Sequence, residues 1–133
     1  MKAKIEKPTI KLTVLKEDVG YTAVGKWKDR SMVTYGDNWA ELQEMVVEML
    51  NLTFEDLGFI YIIDEVRFEY DLESFFDFYK IINAKALSER IGMNQSLLAQ
   101  YINGAKKPSA KQVQRIVTGI QQVGRELSEV ALV

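Results

Sequence analysis

The sequence lacks two residue types on which much protein chemistry depends, since its 133 residues include no cysteine and no histidine. Without cysteine the chain can form no disulfide, no thiolate metal site and no cysteine nucleophile. Without histidine it lacks the commonest general base and the commonest metal ligand, which excludes most hydrolase mechanisms. We therefore expect a protein that is not an enzyme and needs no cofactor.

Long apolar runs are also missing. No segment approaches the roughly 20 apolar residues that cross a bilayer, and the N-terminal MKAKIEKPTIK has no apolar signal core. The sequence therefore predicts a cytoplasmic protein with no membrane partner. A hydrophobic fraction of 47% is enough for packed cores, and the length suits one ordinary domain or two small ones.

Charge is distributed unevenly along the chain. Residues 1–70 carry nine basic and thirteen acidic residues, a formal charge of −4. From Lys80 to Arg125 there are eight basic residues and one acidic residue, a formal charge of +7. This split predicts two modules with different partners, residues 1–70 and 71–133. A concentrated basic segment is typical of polyanion-binding modules, although a helical bundle with a basic face has the same composition.

The first module has the pattern of a small α+β domain. Apolar residues alternate with polar ones, as in half-buried strands, and Asn38 followed by Glu41 resembles a capping box. We predict a β-β-β-α-β order, with strands at Thr9–Val14, Tyr21–Trp27, Ser31–Tyr35 and Phe59–Tyr70, a helix after Asn38 and a loop at Asn51–Gly58. The last segment forms either one strand or two, with a bend or bulge near Asp64-Glu65. The long fourth strand would be hazardous as a bare edge, so we expect it to be covered or to pair with another subunit.

The second module is predicted to be all-α and to contain a helix-turn-helix. Asparagine caps and a glycine stop predict helices at Ala84–Ile91 and Gln95–Asn103. A helix from Asp71 to Ile81 should precede them, and one starting at Ser109 should follow, weakened near Gly119 or Gly124. The inward-facing residues would be Leu87, Ile91, Met93, Leu98 and Tyr101. The apolar tail Val130, Leu132 and Val133 should either fold back on the core or be buried in a dimer.

Three polar residues are left on the outside of the second helix: Gln95, Ser96 and Gln100. An amide can donate and accept a hydrogen bond at once, which matches N6 and N7 of adenine in the major groove. The first residues of the second helix of a helix-turn-helix do this reading. The alternative is that all three are simply solvated.

Residues 83–109 resemble the Cro/repressor (Xre) family of helix-turn-helix domains. The resemblance runs through Asn83, Leu87, Gly92 and Gln95 to Asn103-Gly104 and Pro108-Ser109. It implies that Gln95, Ser96 and Gln100 read bases, and that Asn103, Lys106 and Lys107 contact phosphates. We predict that Asn83, Lys85 and Lys111 contact phosphates as well.

Residues 10–70 resemble the N-terminal domain of HicB-type antitoxins. The resemblance is carried by Tyr21-Thr22-Ala23-Val24 and by the run from Val33-Thr34-Tyr35-Gly36 to Leu42. It implies a partial RNase-H-like fold that binds a small toxin ribonuclease, with the appended domain repressing the operon.

The leading hypothesis is therefore a sequence-specific repressor, an antitoxin-like autoregulator that binds double-stranded DNA at a palindromic operator as a homodimer or higher homo-oligomer. A second hypothesis is a protein–protein interaction module whose helical domain only dimerises. A third is a nuclease, suggested by the RNase-H-like topology. Such enzymes need converging carboxylates, whereas the first predicted strand contains no acid. Asp18, Asp29, Asp37 and Asp64 are explained more simply as turn or capping residues.

Overall fold

The computed structural model describes residues 5–133. These residues form four β-strands and five α-helices in the order β1–β2–β3–α1–β4–α2–α3–α4–α5. The mixed α+β class predicted from the sequence is thereby confirmed. The chain divides into two compact units, a first unit that ends at Ser74 and a second unit that begins at Phe75.

The first unit contains a four-stranded mixed sheet with the order β3-β2-β1-β4. Strands β1 (Ile10–Lys16), β2 (Tyr21–Trp27) and β3 (Arg30–Gly36) form an antiparallel meander. Strand β4 (Val66–Tyr70) pairs in parallel with β1, and Ile10 lies opposite Val66. The predicted meander is confirmed, and β4 takes one edge of the sheet.

Helix α1 (Trp39–Thr53) covers one face of this sheet. It begins at Asn38, whose side chain accepts a hydrogen bond from the Glu41 N–H at 2.9 Å. A Cβ on Gly36 would lie 2.4 Å from the Leu42 backbone nitrogen, so only glycine lets the end of β3 lie this close to α1. Alternate strand residues and one stripe of α1 form the core, which includes Ile10, Leu12, Val14, Ala23, Met32, Leu42, Val46, Leu50 and Phe54.

The predicted strand Phe59–Tyr70 is wrong in its first half. Only Val66–Tyr70 is a strand, and a 3₁₀ turn at Ile63–Glu65 precedes it. The backbone before this turn is bonded to side chains instead of to a neighbouring strand. The Tyr61 N–H donates to Asn51 Oδ1 at 2.8 Å, and the Ile62 N–H donates to Glu65 Oε1 at 3.0 Å. The carbonyl of Ile60 accepts from Lys7 Nζ at 2.7 Å.

Three other predicted boundaries are also corrected. The loop predicted at Asn51–Gly58 is helical as far as Thr53 and is followed by a 3₁₀ turn at Glu55–Leu57. The helix predicted from Asp71 to Ile81 is α2 (Leu72–Phe78), which ends earlier because the chain turns at Tyr79–Ile82 before the next helix cap. The helix predicted from Gln95 to Asn103 ends one residue earlier, at Ile102.

The remaining helices are α3 (Ala84–Ile91), α4 (Gln95–Ile102) and α5 (Ala110–Ser128). The buried residues at the centre of the second unit are Phe76, Leu87, Met93, Leu98 and Ile116. Helix α5 is continuous, so the weakening predicted near Gly119 or Gly124 does not interrupt it. A Cβ on Gly119 would lie 2.4 Å from Ile91 Cγ2, so this glycine lets α5 pack closely on α3. Residues Val130 and Leu132 of the tail are exposed and do not fold back on the core.

Within residues 5–133, no helix has both the length and the apolar character needed to span a membrane.

Candidate nucleic-acid interface

The turn between α3 and α4 is defined by local backbone contacts at both helix ends. Asn83 Oδ1 accepts from the Ala86 N–H at 3.0 Å and starts α3, and Gly92 closes it with a left-handed φ of 66°. Asn94 Oδ1 then accepts from the Leu97 N–H at 3.1 Å and starts α4. The caps predicted at Asn83, Gly92 and Asn94 are confirmed. Side-chain caps of this kind satisfy N–H groups that have no partner inside the helix.

Arg115 of α5 forms hydrogen bonds with the backbone of this turn. Its guanidinium donates to the Ile91 carbonyl from Nε at 3.1 Å and from Nη2 at 2.7 Å, and Nη2 also donates to the Gly92 carbonyl at 2.8 Å. These carbonyls are at the C-terminal end of α3, where the helix leaves acceptors unsatisfied and favours a cation. Arg115 is therefore a positioning residue for the turn, a role that sequence analysis missed because the contact spans more than twenty residues.

Helix α4 presents a polar outer face. Gln95 and Ser96 are exposed in its first turn, whereas Gln100 is half-buried. On the inner side Leu98 is buried, together with Leu87 of α3 and Met93 of the turn, while Ile91 and Tyr101 are half-buried. The residues predicted to face inward thus lie on the packed side, and two of the three predicted base-reading residues are exposed.

One residue on this outer face was missed by sequence analysis. Ala99 is exposed and lies one helical turn after Gln95, on the same side of α4. Its methyl group could contact the methyl group of thymine. The four-residue spacing from Gln95 was the available signal.

The residues predicted to contact phosphate lie at the ends of three helices. Lys85 is in the first turn of α3 and Lys111 is in the first turn of α5. Between α4 and α5, Asn103 Oδ1 accepts from the Ala105 N–H at 2.9 Å, and the Lys106 N–H donates to the Gln100 carbonyl at 3.1 Å. These bonds fold the basic loop back on the end of α4. The side-chain NH₂ groups of Asn83 and Asn103 can still act as donors, because both caps use the amide oxygen.

The eight basic residues of the +7 segment fall into two groups. Arg90 forms a two-pronged ion pair with Glu126, with its shorter contact at 2.7 Å. The pair raises the pKa of Arg90 and lowers that of Glu126. Arg115 is engaged in the turn, Arg125 donates to Gln122 Oε1 at 2.7 Å, and Lys80 lies 3.9 Å from an oxygen of Asp77.

The second group consists of Lys85, Lys106, Lys107 and Lys111. All four are exposed, and none is in an ion pair with any residue of the described chain, 5–133. These are the four lysines that the sequence predicted to contact phosphate. Their charges are available to an external polyanion because no carboxylate neutralises them.

The first unit has a different surface. The sheet face opposite α1 includes Val24, Val33 and Tyr35, and the Val33 side chain is 64% exposed. The Tyr35 hydroxyl lies within hydrogen-bond distance of the Val19 carbonyl and of Asp37 Oδ1, either of which can accept its one proton. The hydrogen bond to Asp37 raises the pKa of Tyr35. Among residues 5–133 no three Asp or Glu side chains are grouped so as to hold a metal ion.

Comparison of the chain with models of protein families, with curated proteins and with solved structures gives no match.

Proposed function

We propose that this chain is a sequence-specific DNA-binding repressor in which α3 and α4 act as a helix-turn-helix. The observation that carries the proposal is the pairing of two features in the second unit. The capped start of α4 presents Gln95 and Ser96 to solvent, and the lysines with no carboxylate partner are Lys85, Lys106, Lys107 and Lys111. Amides and hydroxyls suit base edges, and uncompensated lysines suit phosphates.

In this proposal α4 enters the major groove with its first turn leading. Gln95, Ser96 and Gln100 read bases, and Ala99 adds a methyl contact. The lysines of the α4–α5 loop, with Asn83, Lys85, Asn103 and Lys111, contact phosphates and fix the register. Arg115 holds α4 at a fixed angle to α3 by bonding to the turn. A single motif of this kind makes few base contacts, so two copies bind the two halves of a palindrome.

We extend the proposal to a type II toxin–antitoxin pair, in which the first unit has a partial RNase-H-like fold and binds a small toxin. This part rests on the resemblance of residues 10–70 to HicB-type antitoxins. The uncovered sheet face with Val33 and Tyr35 is consistent with a protein partner. The formal charge of −4 over residues 1–70 suits a basic one. Isolation of the tagged chain from its own cells tests this part separately, since a small basic protein should co-purify with it.

A protein–protein interaction module without specific DNA binding is the second candidate. It is favoured by the apolar residues left exposed at the end of α5 and beyond it, where Leu127 is 63% exposed and Leu132 is 92% exposed. It does not explain why four exposed lysines of the second unit lack carboxylate partners.

Selection of bound sequences from a randomised duplex pool, at two salt concentrations, separates the two candidates. We expect a palindrome with half-sites about one helical turn apart, with adenines at the positions read by the glutamines. Recovery of only sequence-independent binding that disappears at the higher salt would refute the repressor and favour the interaction module.

Two variants test the assigned roles. Gln100→Ala should cost about 1–3 kcal/mol on the selected site and little on random DNA, because an amide–adenine pair is lost. Lys107→Ala should weaken binding to both and reduce the salt-dependence slope by about 0.9, the value for one phosphate contact. Equal losses on specific and random DNA for Gln100→Ala would contradict its role in base reading.

A further inference from the structure

We propose that α5 docks against α5 of a second copy of this chain through a seam formed by Val113, Val117, Ile120, Gly124 and Leu127. The expected effect of this dimer on DNA binding rests on the proposed function, because a palindrome requires two helix-turn-helix motifs related by a two-fold axis. The docking itself depends only on α5.

One side of helix α5 packs against α3. On that side Gly119 leaves space for the Ile91 side chain, Arg115 bonds to the Ile91 carbonyl, and Glu126 pairs with Arg90. Next to this side Ile116 is fully buried in the second unit. The seam lies on the remaining apolar side of the helix, so its residues are not those that hold α5 to α3.

The seam has the spacing of a helix–helix contact. Its five residues are separated by four, three, four and three positions, the repeat that keeps apolar side chains facing a partner helix. Val113 and Leu127 are exposed by 38% and 63%, Gly124 is exposed, and Val117 and Ile120 are half-buried. The second unit thus covers the seam only in part.

Gly124 is unexplained by the fold of a single chain. A Cβ built on it would meet no atom within 4 Å, so nothing in the described residues prevents a side chain there. Glycine inside a helix costs about 1 kcal/mol relative to alanine. Close approach of a second helix accounts for the glycine, because the missing Cβ lets another backbone come near.

The charge pattern of α5 favours an identical helix as the partner. The four charged residues between Ala110 and Ser128 are Lys111, Arg115, Arg125 and Glu126, and at 3.6 residues per turn all of them lie on the side away from the seam. The polar residues that flank the seam, Gln114, Gln121 and Ser128, are neutral. Two copies can therefore meet along the seam without bringing like charges together. The seam contains no cation that could contact a DNA phosphate.

The test is the mass of the full chain in solution, measured without DNA by light scattering and sedimentation equilibrium over a concentration series. We expect a dimer for the natural sequence. Leu127→Lys and Gly124→Lys place a charge in the seam at exposed positions, so the fold should persist while the dimer dissociation constant rises at least tenfold. Thr118→Lys is the matched control, because it adds the same charge at an exposed position of α5 outside the seam and should leave the dimer intact.

A natural chain that stays monomeric at every concentration would overturn the proposal and assign the seam to another protein. Dimers that survive both seam variants would also overturn it, because the interface would then lie elsewhere. The same samples are then titrated with a palindromic duplex from the selection and with a half-site duplex. Loss of tight palindrome binding with retained half-site binding in Leu127→Lys is the expected consequence. A dimer that binds no DNA specifically would refute the proposed function and leave the α5 interface standing.

Discussion

Replacement of Gly119 by alanine should destabilise the second unit, whereas the same replacement at Gly124 should stabilise it in the monomeric chain. The Cβ added at 119 would lie 2.4 Å from Ile91 Cγ2 and 3.5 Å from Leu87 Cδ1. Because Ile91 is β-branched, its methyl group cannot move away without a change of χ1. Helix α5 must therefore move away from α3, or Ile91 must adopt a strained rotamer.

The magnitude follows from two opposing terms. Insertion of an extra methyl group into a packed contact destabilises the fold by about 1–3 kcal/mol. Replacement of glycine by alanine inside a helix stabilises it by about 0.8–1.0 kcal/mol. Gly119→Ala should thus lose about 1 kcal/mol in the free energy of unfolding. In a single chain Gly124→Ala has only the favourable term, because open space surrounds its Cβ, and should gain about 1 kcal/mol. In the proposed dimer the same Cβ would meet the partner helix, so this gain is expected only at concentrations where the chain is monomeric. The propensity term cancels between the two variants, so their difference of about 2 kcal/mol measures the α3–α5 contact.

Thermal unfolding followed by far-ultraviolet circular dichroism is the assay. In a domain of this size 1 kcal/mol corresponds to about 4–8 °C in Tm, so the two variants should differ by roughly 10 °C. Trp27 and Trp39 both lie in the first unit, so tryptophan fluorescence should not change between the variants. Because Gly124 lies on the seam, unfolding is measured at two concentrations, since association makes Tm concentration-dependent. A Gly119→Ala protein as stable as Gly124→Ala would refute close packing of α5 on α3.

Two further predictions concern the arginines that hold α3 and α5 together. Arg115→Met should destabilise the second unit by up to about 3 kcal/mol, because the charge-assisted hydrogen bonds to two carbonyls are lost. Arg115→Lys should restore only part of this stability, because lysine lacks the planar guanidinium fork. Urea unfolding of both variants measures the two losses. Arg90 holds the pKa of Glu126 below its ordinary value of 4.5, so the pair stabilises the fold above that pH and the stabilisation is lost as pH falls through the lowered pKa. Glu126→Gln should therefore be slightly less stable than the natural protein at neutral pH and equally stable in acid, and a deficit that persists in acid would contradict the ion pair as its cause.

The helix starts were predictable from the sequence because capping is local. Asn38, Asn83, Asn94 and Ser109 each accept a hydrogen bond from a backbone N–H three residues later. Both partners therefore stand within one short stretch of sequence. The same holds for the meander, whose alternating residues and short turns fix β2 at Tyr21–Trp27 as predicted.

The segment before β4 was mispredicted because its backbone is bonded to side chains, two of which, those of Lys7 and Asn51, come from other parts of the chain. Phe59–Ile62 has the composition of a strand, and its alternation is real, with Ile60 and Ile62 exposed and Tyr61 buried. Its backbone groups, however, are bonded to the side chains of Lys7, Asn51 and Glu65. A backbone N–H or carbonyl that is hydrogen-bonded to a side chain cannot also pair with a neighbouring strand. The alternation of apolar residues does not reveal such bonds. Gly119 illustrates the same limit, since its packing on Ile91 is invisible from α5 alone.

The charge count along the chain identified a basic segment but could not separate its structural cations from its available ones. Glu126, the partner of Arg90, lies one residue beyond the segment that gave +7. In the second unit each arginine has a partner inside the fold: Arg90 pairs with Glu126, Arg115 bonds to backbone carbonyls and Arg125 donates to Gln122. The cations in no ion pair that are left for an external polyanion are Lys85, Lys106, Lys107 and Lys111 of the described residues. This division has a physical basis, because the guanidinium fork matches a carboxylate or a pair of carbonyls, whereas an ammonium is a compact, strongly hydrated charge.

The division also limits how the proposed interface can read DNA. The commonest specific contact is a two-pronged bond from arginine to guanine, and neither Arg90 nor Arg115 is free to make it. Lysines on phosphates supply affinity that is largely independent of sequence. Discrimination between bases then depends on Gln95, Ser96, Gln100 and the methyl group of Ala99, which together favour adenine and thymine over guanine. If α4 reads DNA as proposed, we expect an operator whose two halves are rich in A·T pairs at the contacted positions, because Arg90 is held by Glu126 and Arg115 by the turn.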